Sequence, residues 1–171
     1  RDIPDPTPAR PPHGLRRGAV HLAFLAPPLK HPEIVCSELS RDPLRAALPA
    51  GHPLAQQESI ELKRLAEERM LLLREGHCLR NDVMTACKRA RAEFANVFDS
   101  DHLGTIFAMV AGGFGVSLVP SMAADLAIGC RLLPVSPSAV RRIGYAMASG
   151  QTMLPLQKNF IAYLRKYNWP V

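Results

Sequence analysis

A cysteine with basic neighbours stands at the centre of residues 75–82, and a second cysteine follows nine positions later. Cys78 directly follows His77 and precedes Arg80 by two residues, and the second thiol is Cys87. Cationic neighbours and a helix N-terminus both favour the thiolate, which is the nucleophilic form of cysteine. Because Asn81 or Asp82 can cap a predicted helix just beyond this segment, Cys78 is the residue where redox chemistry is expected first.

Each thiol also has a purely structural interpretation. Free cysteine is among the most buried residue types, so Cys87 can be an ordinary core residue and Cys78 an inert loop thiol. A metal site is a further possibility, but the spacing matches no known zinc pattern, and we predict neither a metal nor a cofactor. The four residues that such a zinc site would use are His77, Cys78, Cys87 and His102.

The charged neighbours of Cys78 have alternatives as well. His77 can be a hydrogen-bonding residue of the loop. Arg80 can form an ion pair with Glu75 or Asp82. His102 lies near another predicted helix start, where it can line a cleft or stand exposed to solvent.

The composition describes an ordinary globular protein. The chain has 171 residues, 47% of them hydrophobic and 21% charged, which suits one domain or two small lobes. No apolar run is long enough to span a membrane and no signal peptide is visible, so a soluble cytoplasmic protein is expected.

Four cysteines in such a setting are predicted to be thiols at rest. The net charge of +6 comes from scattered basic residues, so the chain itself is not predicted to bind DNA.

Strands alternate with helices along the chain, which predicts an α/β fold with mainly parallel sheets. Residues 1–13 contain five prolines and are predicted to be a disordered arm. Apolar runs at residues 20–25 and 70–73 predict buried strands, the first of them parallel. Ser100 or Asp101 is predicted to cap a helix that ends at Gly112-Gly113, and this glycine turn is predicted to be a helix C-cap and a close packing point. The last helix, from about 154 to 167, is predicted to turn Leu156, Phe160, Ile161 and Leu164 inward.

Three segments, in order, resemble the LysR-type transcriptional regulators: residues 15–24, 48–55 and the glycine-rich turn 109–120. The resemblance runs from about residue 14 to residue 168. It implies a two-lobed effector domain of the periplasmic-binding-protein-like type 2 fold, with the first lobe incomplete. Residues 14–44 and 145–171 would form the first lobe, and residues 45–144 the second.

Within that family, residues 75–80 followed by Cys87 resemble the peroxide-sensing OxyR branch. The resemblance implies that Cys78 reacts with peroxide and Cys87 resolves the product, with a pocket formed by Gly76, His77, Arg80 and His102. It further implies a homo-oligomer that reaches DNA only through a winged helix-turn-helix domain absent from these 171 residues.

The two thiols are too far apart to bond if the segment after Asp82 is helical. Cys87 then lies roughly 10 Å or more from Cys78, whereas a disulfide needs Cα atoms within about 7 Å. Oxidation of Cys78 to a sulfenic acid would have to be followed by local unwinding. The sequence therefore predicts a two-state switch.

Two other functional classes compete with this switch. The first keeps the family but makes the signal a small organic effector in the cleft between the lobes, with incidental cysteines. The second is an enzyme, a thiol peroxidase or hydrolase. His77 directly precedes Cys78 and is badly placed as its general base. We therefore predict no catalytic residues and no enzymatic activity.

Overall fold

The computed structural model describes residues 13–27, 31–94, 97–167 and 169, and every structural statement concerns these residues. Apart from His13, the predicted proline-rich arm therefore lies outside them. The helices are α1 (His13–Arg16), α2 (Leu62–Ala66), α3 (Cys78–Arg89), α4 (Leu103–Ala111) and α5 (Pro155–Lys166), and two 3-10 helices are η1 (Pro53–Gln56) and η2 (Ser121–Leu126). The strands are β1 (Ala23–Leu25), β2 (Ile34–Pro49), β3 (Ile60–Glu61), β4 (Met70–Leu73), β5 (Val97–Ser100), β6 (Ser117–Pro120), β7 (Cys130–Ser136) and β8 (Val140–Ala148).

The chain divides into two compact units. Unit 1 holds the described residues up to Arg41 and those from Arg142 onward, and unit 2 runs from Asp42 to Arg141. Strands β2 and β8 each contribute residues to both units. The interpretation of the predicted segments 14–44, 45–144 and 145–171 as the two lobes of an effector domain stays a prediction.

Unit 1 has a small core in which Leu15, Ile34 and Ala146 are buried. Its strand β1 pairs antiparallel with β8, with Phe24 opposite Tyr145. The prediction of a buried parallel strand over residues 20–25 is thus wrong in length, direction and burial: the strand has three residues, and Phe24 is 50% exposed. An apolar run alone cannot distinguish an edge strand from a central one, because only the pairing decides.

Helix α5 of unit 1 buries less of its apolar surface than its periodicity predicts. Only Ile161 is buried, while Leu156 is 79% exposed and Phe160 packs edge-on against Phe24 with ring centroids 6.1 Å apart. The predicted inward orientation is therefore confirmed for Ile161 and wrong for Leu156 among the described residues. Periodicity shows that one helix face is apolar, whereas burial also requires a facing element.

Unit 2 is built on mixed sheet pairings. Strand β2 pairs antiparallel with β6 and with β7, whereas β3 with β7 and β4 with β5 are parallel pairs. The expectation of mainly parallel sheets is met only in these last two pairs. The long strand β2 brings in antiparallel neighbours on both of its edges, which no local pattern predicted.

The apolar side chains of unit 2 form two clusters of buried residues. One contains Met70, Val83 and Cys87, and the other contains Leu71 and Phe107. Alternate residues of β4 thus point to opposite faces, as the pleat of a strand requires. Strand β4 is buried on both sides and holds α3 and α4 around it.

The glycine-rich turn after α4 is a helix cap and a close packing point, as predicted. Gly112 is the C-cap, Gly113 has φ 78°, and the amide of Phe114 donates to the carbonyl of Met109 at 3.0 Å. A Cβ atom at Gly115 would overlap the carbonyl oxygen of Arg69. The two backbones meet there because position 115 has no side chain.

None of the helices in the described part of the chain is long and apolar enough to cross a membrane.

Candidate functional site

The site lies at the carboxyl end of the parallel pair β4–β5 in unit 2. Leu73 and Ser100 are opposite each other at the ends of the two strands, and the amide of Arg74 donates to the carbonyl of Ser100 at 2.8 Å. Parallel strands end at the same edge of a sheet, so the loops that follow them leave side by side. The loop after β4 leads to Cys78, and the loop after β5 leads to His102.

Helix α3 begins at Cys78, five residues earlier than a cap at Asp82 would place it. The N-cap is His77, whose side chain makes no capping hydrogen bond, and Gly76 before it has φ 98°, a conformation that favours glycine. The prediction that Asn81 or Asp82 caps the helix is therefore wrong. The tight turn at Gly76 starts the helix before the polar residues that resemble caps.

The two thiols occupy opposite faces of α3. Cys78 is exposed in the first turn, whereas Cys87 is buried in the core with Val83 and only 1% exposed. Nine residues correspond to two and a half helical turns and to about 13.5 Å along the axis. This is about twice the largest Cα separation that a disulfide tolerates. The expectation that the thiols cannot bond in the helical conformation is confirmed.

Burial changes the chemistry of Cys87. Removal from water disfavours the thiolate and raises the pKa of Cys87 from 9.0 to about 11. The thiol is therefore neutral and unreactive while α3 is intact. Cys78, by contrast, is exposed to solvent at the start of the helix.

Arg80 is directed away from Cys78. Its guanidinium donates to the carbonyl of Leu73 at 2.8 Å and forms an ion pair with Asp99, and only 13% of its side chain is exposed. Asp99 lies outside the two partners, Glu75 and Asp82, that the sequence suggested for Arg80. Residues two apart on a helix do not face each other, so Arg80 is not the cationic neighbour of the Cys78 sulfur that the linear sequence predicts.

The predicted site residues lie on the two adjacent loops and helix starts. His77 is half-buried, while Gly76 and His102 are exposed. His102 is the N-cap of α4 and makes no side-chain capping bond; Ser100 instead uses its hydroxyl to bond the backbone of His102. The predicted cap at Ser100 or Asp101 is therefore wrong by one or two positions. Asp101 forms an ion pair with Arg74 at 3.2 Å, which ties the two loops together.

Sequence reasoning missed Asp99, the ion-pair partner of Arg80. It lies on β5, a four-residue strand that no apolar run in the sequence predicts. The one signal for β5 was the length of the segment between α3 and α4, because this segment has to run back along β4 before α4 can begin. The described residues contain no group of three or more His, Cys, Asp or Glu side chains placed to hold a metal ion.

A groove of about 860 Å³ runs along the second half of α3 and the turn that follows it. Cys87, Met84 and Phe94 contribute apolar surface, and Arg91 stands at its edge.

The sequence of the chain matches the model of one protein family. The family described as "LysR substrate binding domain" matches residues 6–169, so the chain belongs to the LysR substrate-binding domain family. The predicted membership and fold are confirmed, and the relatives place the chain near the OxyR branch.

Two curated relatives are named probable hydrogen peroxide-inducible genes activators. The one from Streptomyces viridosporus is 35% identical over 159 residues, covering 90% of this chain and 51% of that protein. The one from Mycobacterium avium is 36% identical over 141 residues, covering 79% of this chain and 45% of that protein. The chain thus spans about half the length of the curated relatives it matches.

A solved structure of an OxyR regulatory domain is also similar to this chain. The reduced form of the OxyR regulatory domain from Pseudomonas aeruginosa matches with a TM-score of 0.73 at 30% identity, covering 90% of this chain and 74% of that one.

Proposed function

We propose that this chain is a peroxide-sensing regulatory domain in which Cys78 is oxidised and Cys87 resolves the product as a disulfide. The observation that carries the proposal is the contrast between the two thiols of α3. One is exposed at the helix N-terminus and the other is buried with a pKa of about 11. Both OxyR regulatory domains and hydrogen peroxide-inducible activators are among the similar proteins.

The first step is attack of the Cys78 thiolate on one oxygen of hydrogen peroxide. The O–O bond breaks, the sulfur becomes a sulfenic acid, and the second oxygen leaves as hydroxide, which takes a proton to become water. Cys78 is oxidised by two electrons and peroxide is reduced. The exposure of Cys78 gives peroxide access to the sulfur.

The second step joins Cys87 to the oxidised Cys78. The Cys87 thiolate attacks the sulfenic sulfur, the S–O bond breaks, and hydroxide leaves as water after protonation. Both the helical separation of about 13.5 Å and the raised pKa oppose this step in the intact fold. A thiol with a pKa of about 11 is ionised in only about one molecule in ten thousand at neutral pH.

Local unwinding of α3 removes both obstacles together. It exposes Cys87 to water, where its pKa returns towards the ordinary value, and it lets the chain fold back on itself. Phe94 and Met84 line the groove along the part of α3 that carries Cys87, and this part would have to unwind.

The remaining site residues have supporting roles in this proposal. Arg80 anchors the first turn of α3 to the ends of β4 and β5 through Leu73 and Asp99. Gly76 permits the turn that places Cys78 at the helix start, and His77 and His102 flank the approach to its sulfur. The output would be transcriptional and would pass through homo-oligomer contacts to a DNA-binding domain in a longer protein.

Peptide mapping tests the proposal, because trypsin separates the two thiols. Cleavage after Arg74, Arg80 and Lys88 leaves Cys78 in peptide 75–80 and Cys87 in peptide 81–88. A Cys78–Cys87 disulfide therefore joins two peptides that are otherwise separate in the mass spectrum. We expect this joined pair after peroxide treatment of the 171-residue chain and its loss after reduction.

Three variants sharpen the experiment. Cys78→Ser should abolish the joined pair, and Cys87→Ser should leave a Cys78 sulfenic acid that dimedone traps. Cys130→Ser, at a partly buried thiol outside α3, is the matched control and should change nothing. Absence of the joined pair in the wild type, or its persistence in Cys78→Ser, contradicts the proposal. Stabilisation by one organic metabolite, with folding insensitive to peroxide, would support the small-effector alternative instead.

A further inference from the structure

Helix α3 ends in a left-handed cap that carries a side chain. Arg91 has φ 53° and is the single non-glycine residue with positive φ in the described part of the chain. The amide of Ala92 donates to the carbonyl of Cys87 at 2.9 Å, and that of Arg91 to the carbonyl of Lys88 at 3.1 Å. This is the Schellman arrangement, in which the left-handed position normally holds glycine.

Helix α4 provides the comparison within the same unit. It closes with the equivalent pair of hydrogen bonds, from Phe114 to Met109 at 3.0 Å and from Gly113 to Val110 at 2.9 Å. Its left-handed residue is Gly113, with φ 78°. The chain thus uses glycine at the end of α4 and an arginine in the same geometry at the end of α3.

The left-handed conformation is strained for any residue with a Cβ atom, because that atom approaches the following carbonyl oxygen. Arg91 is exposed and stands at the edge of the groove. The strain raises the free energy of the helical conformation relative to the opened one. It disappears when the end of α3 opens and φ becomes negative.

The strained cap, residues 90–92, is bonded directly to the resolving cysteine. The carbonyl that accepts the Ala92 amide belongs to Cys87 itself. Unwinding of α3 at Cys87 breaks this bond, and breaking it releases Arg91 from the left-handed conformation. Opening of the cap is therefore part of the unwinding that would expose the Cys87 thiol.

We propose that Arg91 is a positioning residue whose strain sets how readily α3 opens, and through this how fast Cys87 resolves the oxidised Cys78. This inference rests on the proposed function, which supplies the peroxide as oxidant and the sulfenic acid at Cys78. The rate of resolution is proportional to the population of the opened conformation when opening precedes the bond-forming step. Strain at Arg91 raises that population and leaves the first oxidation step unchanged.

Three substitutions vary the strain and share the loss of charge. Arg91→Ala keeps a Cβ atom and the same strain, Arg91→Gly removes the strain, and Arg91→Val adds the cost of a branched side chain. We expect disulfide formation to be fastest in Arg91→Val and slowest in Arg91→Gly. Glycine should slow it only about threefold relative to alanine, because the relief of strain in the capped helix is partly offset by the freedom that glycine gains in the opened chain.

Two rates are measured on the 171-residue chain: dimedone trapping of the Cys78 sulfenic acid and appearance of the joined peptides 75–80 and 81–88. The expected result is an unchanged first rate and a second rate ordered as above. Equal rates of disulfide formation in the three variants overturn the inference while leaving the proposed function standing.

A second measurement decides the inference without the disulfide. Amide hydrogen exchange at Ala92 reports opening of its bond to Cys87 directly. We expect exchange about threefold slower in Arg91→Gly than in Arg91→Ala, and equal exchange overturns the inference. A wild type that forms no disulfide refutes the proposed function, and the exchange rates still decide whether Arg91 controls the opening.

Discussion

The buried thiol of Cys87 makes the stability of the reduced protein depend on alkaline pH. In the folded chain its pKa is about 11, raised from 9.0 by burial. Above the unfolded value the unfolded chain loses this proton, whereas the folded chain retains it until the pH approaches 11. The unfolded state therefore binds fewer protons in this window, and the free energy of unfolding falls as the pH rises.

The size of the effect follows from the shift. Each pKa unit corresponds to about 1.4 kcal/mol, so the folded state should lose about 2 kcal/mol through this group between about pH 8 and about pH 10.5. At neutral pH both states hold the proton and the contribution is complete. The loss is a property of burial and requires no oxidation.

Urea unfolding under reducing conditions measures the effect. The matched comparison is wild type against Cys87→Ala, because tyrosines and lysines that titrate in the same range are common to both. We expect the difference in unfolding free energy between the two proteins to change by about 2 kcal/mol from about pH 8 to about pH 10.5.

Parallel pH curves for wild type and Cys87→Ala would refute the reasoning. They would mean that Cys87 ionises in the folded state as it does in the unfolded chain. The buried thiol would then present no electrostatic barrier to resolution. Local unwinding would be needed for distance alone.

Two further predictions concern the framework of the site. Gly115→Ala places a Cβ atom against the backbone carbonyl of Arg69 and should destabilise the fold by about 1–3 kcal/mol in thermal or urea unfolding. The control is Gly104→Ala in α4, where a Cβ atom meets nothing within 4 Å and should stabilise the fold by about 0.5–1 kcal/mol. Equal effects of the two substitutions would show that the close approach at Gly115 is absent. Asp99→Asn removes the ion-pair partner of the mostly buried Arg80 and should cost about 1–2 kcal/mol, whereas Asp125→Asn at an exposed position should stay within about 0.5 kcal/mol. Equal melting temperatures for the two aspartate variants would rule out a structural role for the ion pair.

Several elements of unit 2 were predictable because their signals are local. The apolar run at residues 70–73 predicted strand β4 at the residues where it occurs. Gly112 and Gly113 predicted the end of α4, because a left-handed cap favours glycine wherever the helix packs. The spacing of Cys78 and Cys87 predicted their separation, since helical rise depends only on sequence distance.

Other features required contacts between residues distant in the chain. Arg80 had two nearby carboxylates as candidate partners, yet its guanidinium pairs with Asp99, which follows nineteen residues later. The strand that carries Asp99 forms because it pairs with β4, and the residues of this strand alone do not predict a strand. In unit 1, the inward face of α5 was correct at Ile161 and wrong at Leu156, because the neighbouring elements decide which apolar residues are covered.

The sequence by itself determined the pair of thiols, the nine-residue spacing and the family, because these are properties of residue order. Only the tertiary structure decided that Cys78 stands at the helix start and Cys87 in the core, since helix boundaries and burial arise from packing against β4 and its neighbours. It also decided that Arg91 closes α3 in a left-handed conformation. No sequence pattern marks that position, because the strain is imposed by the hydrogen bonds that end the helix.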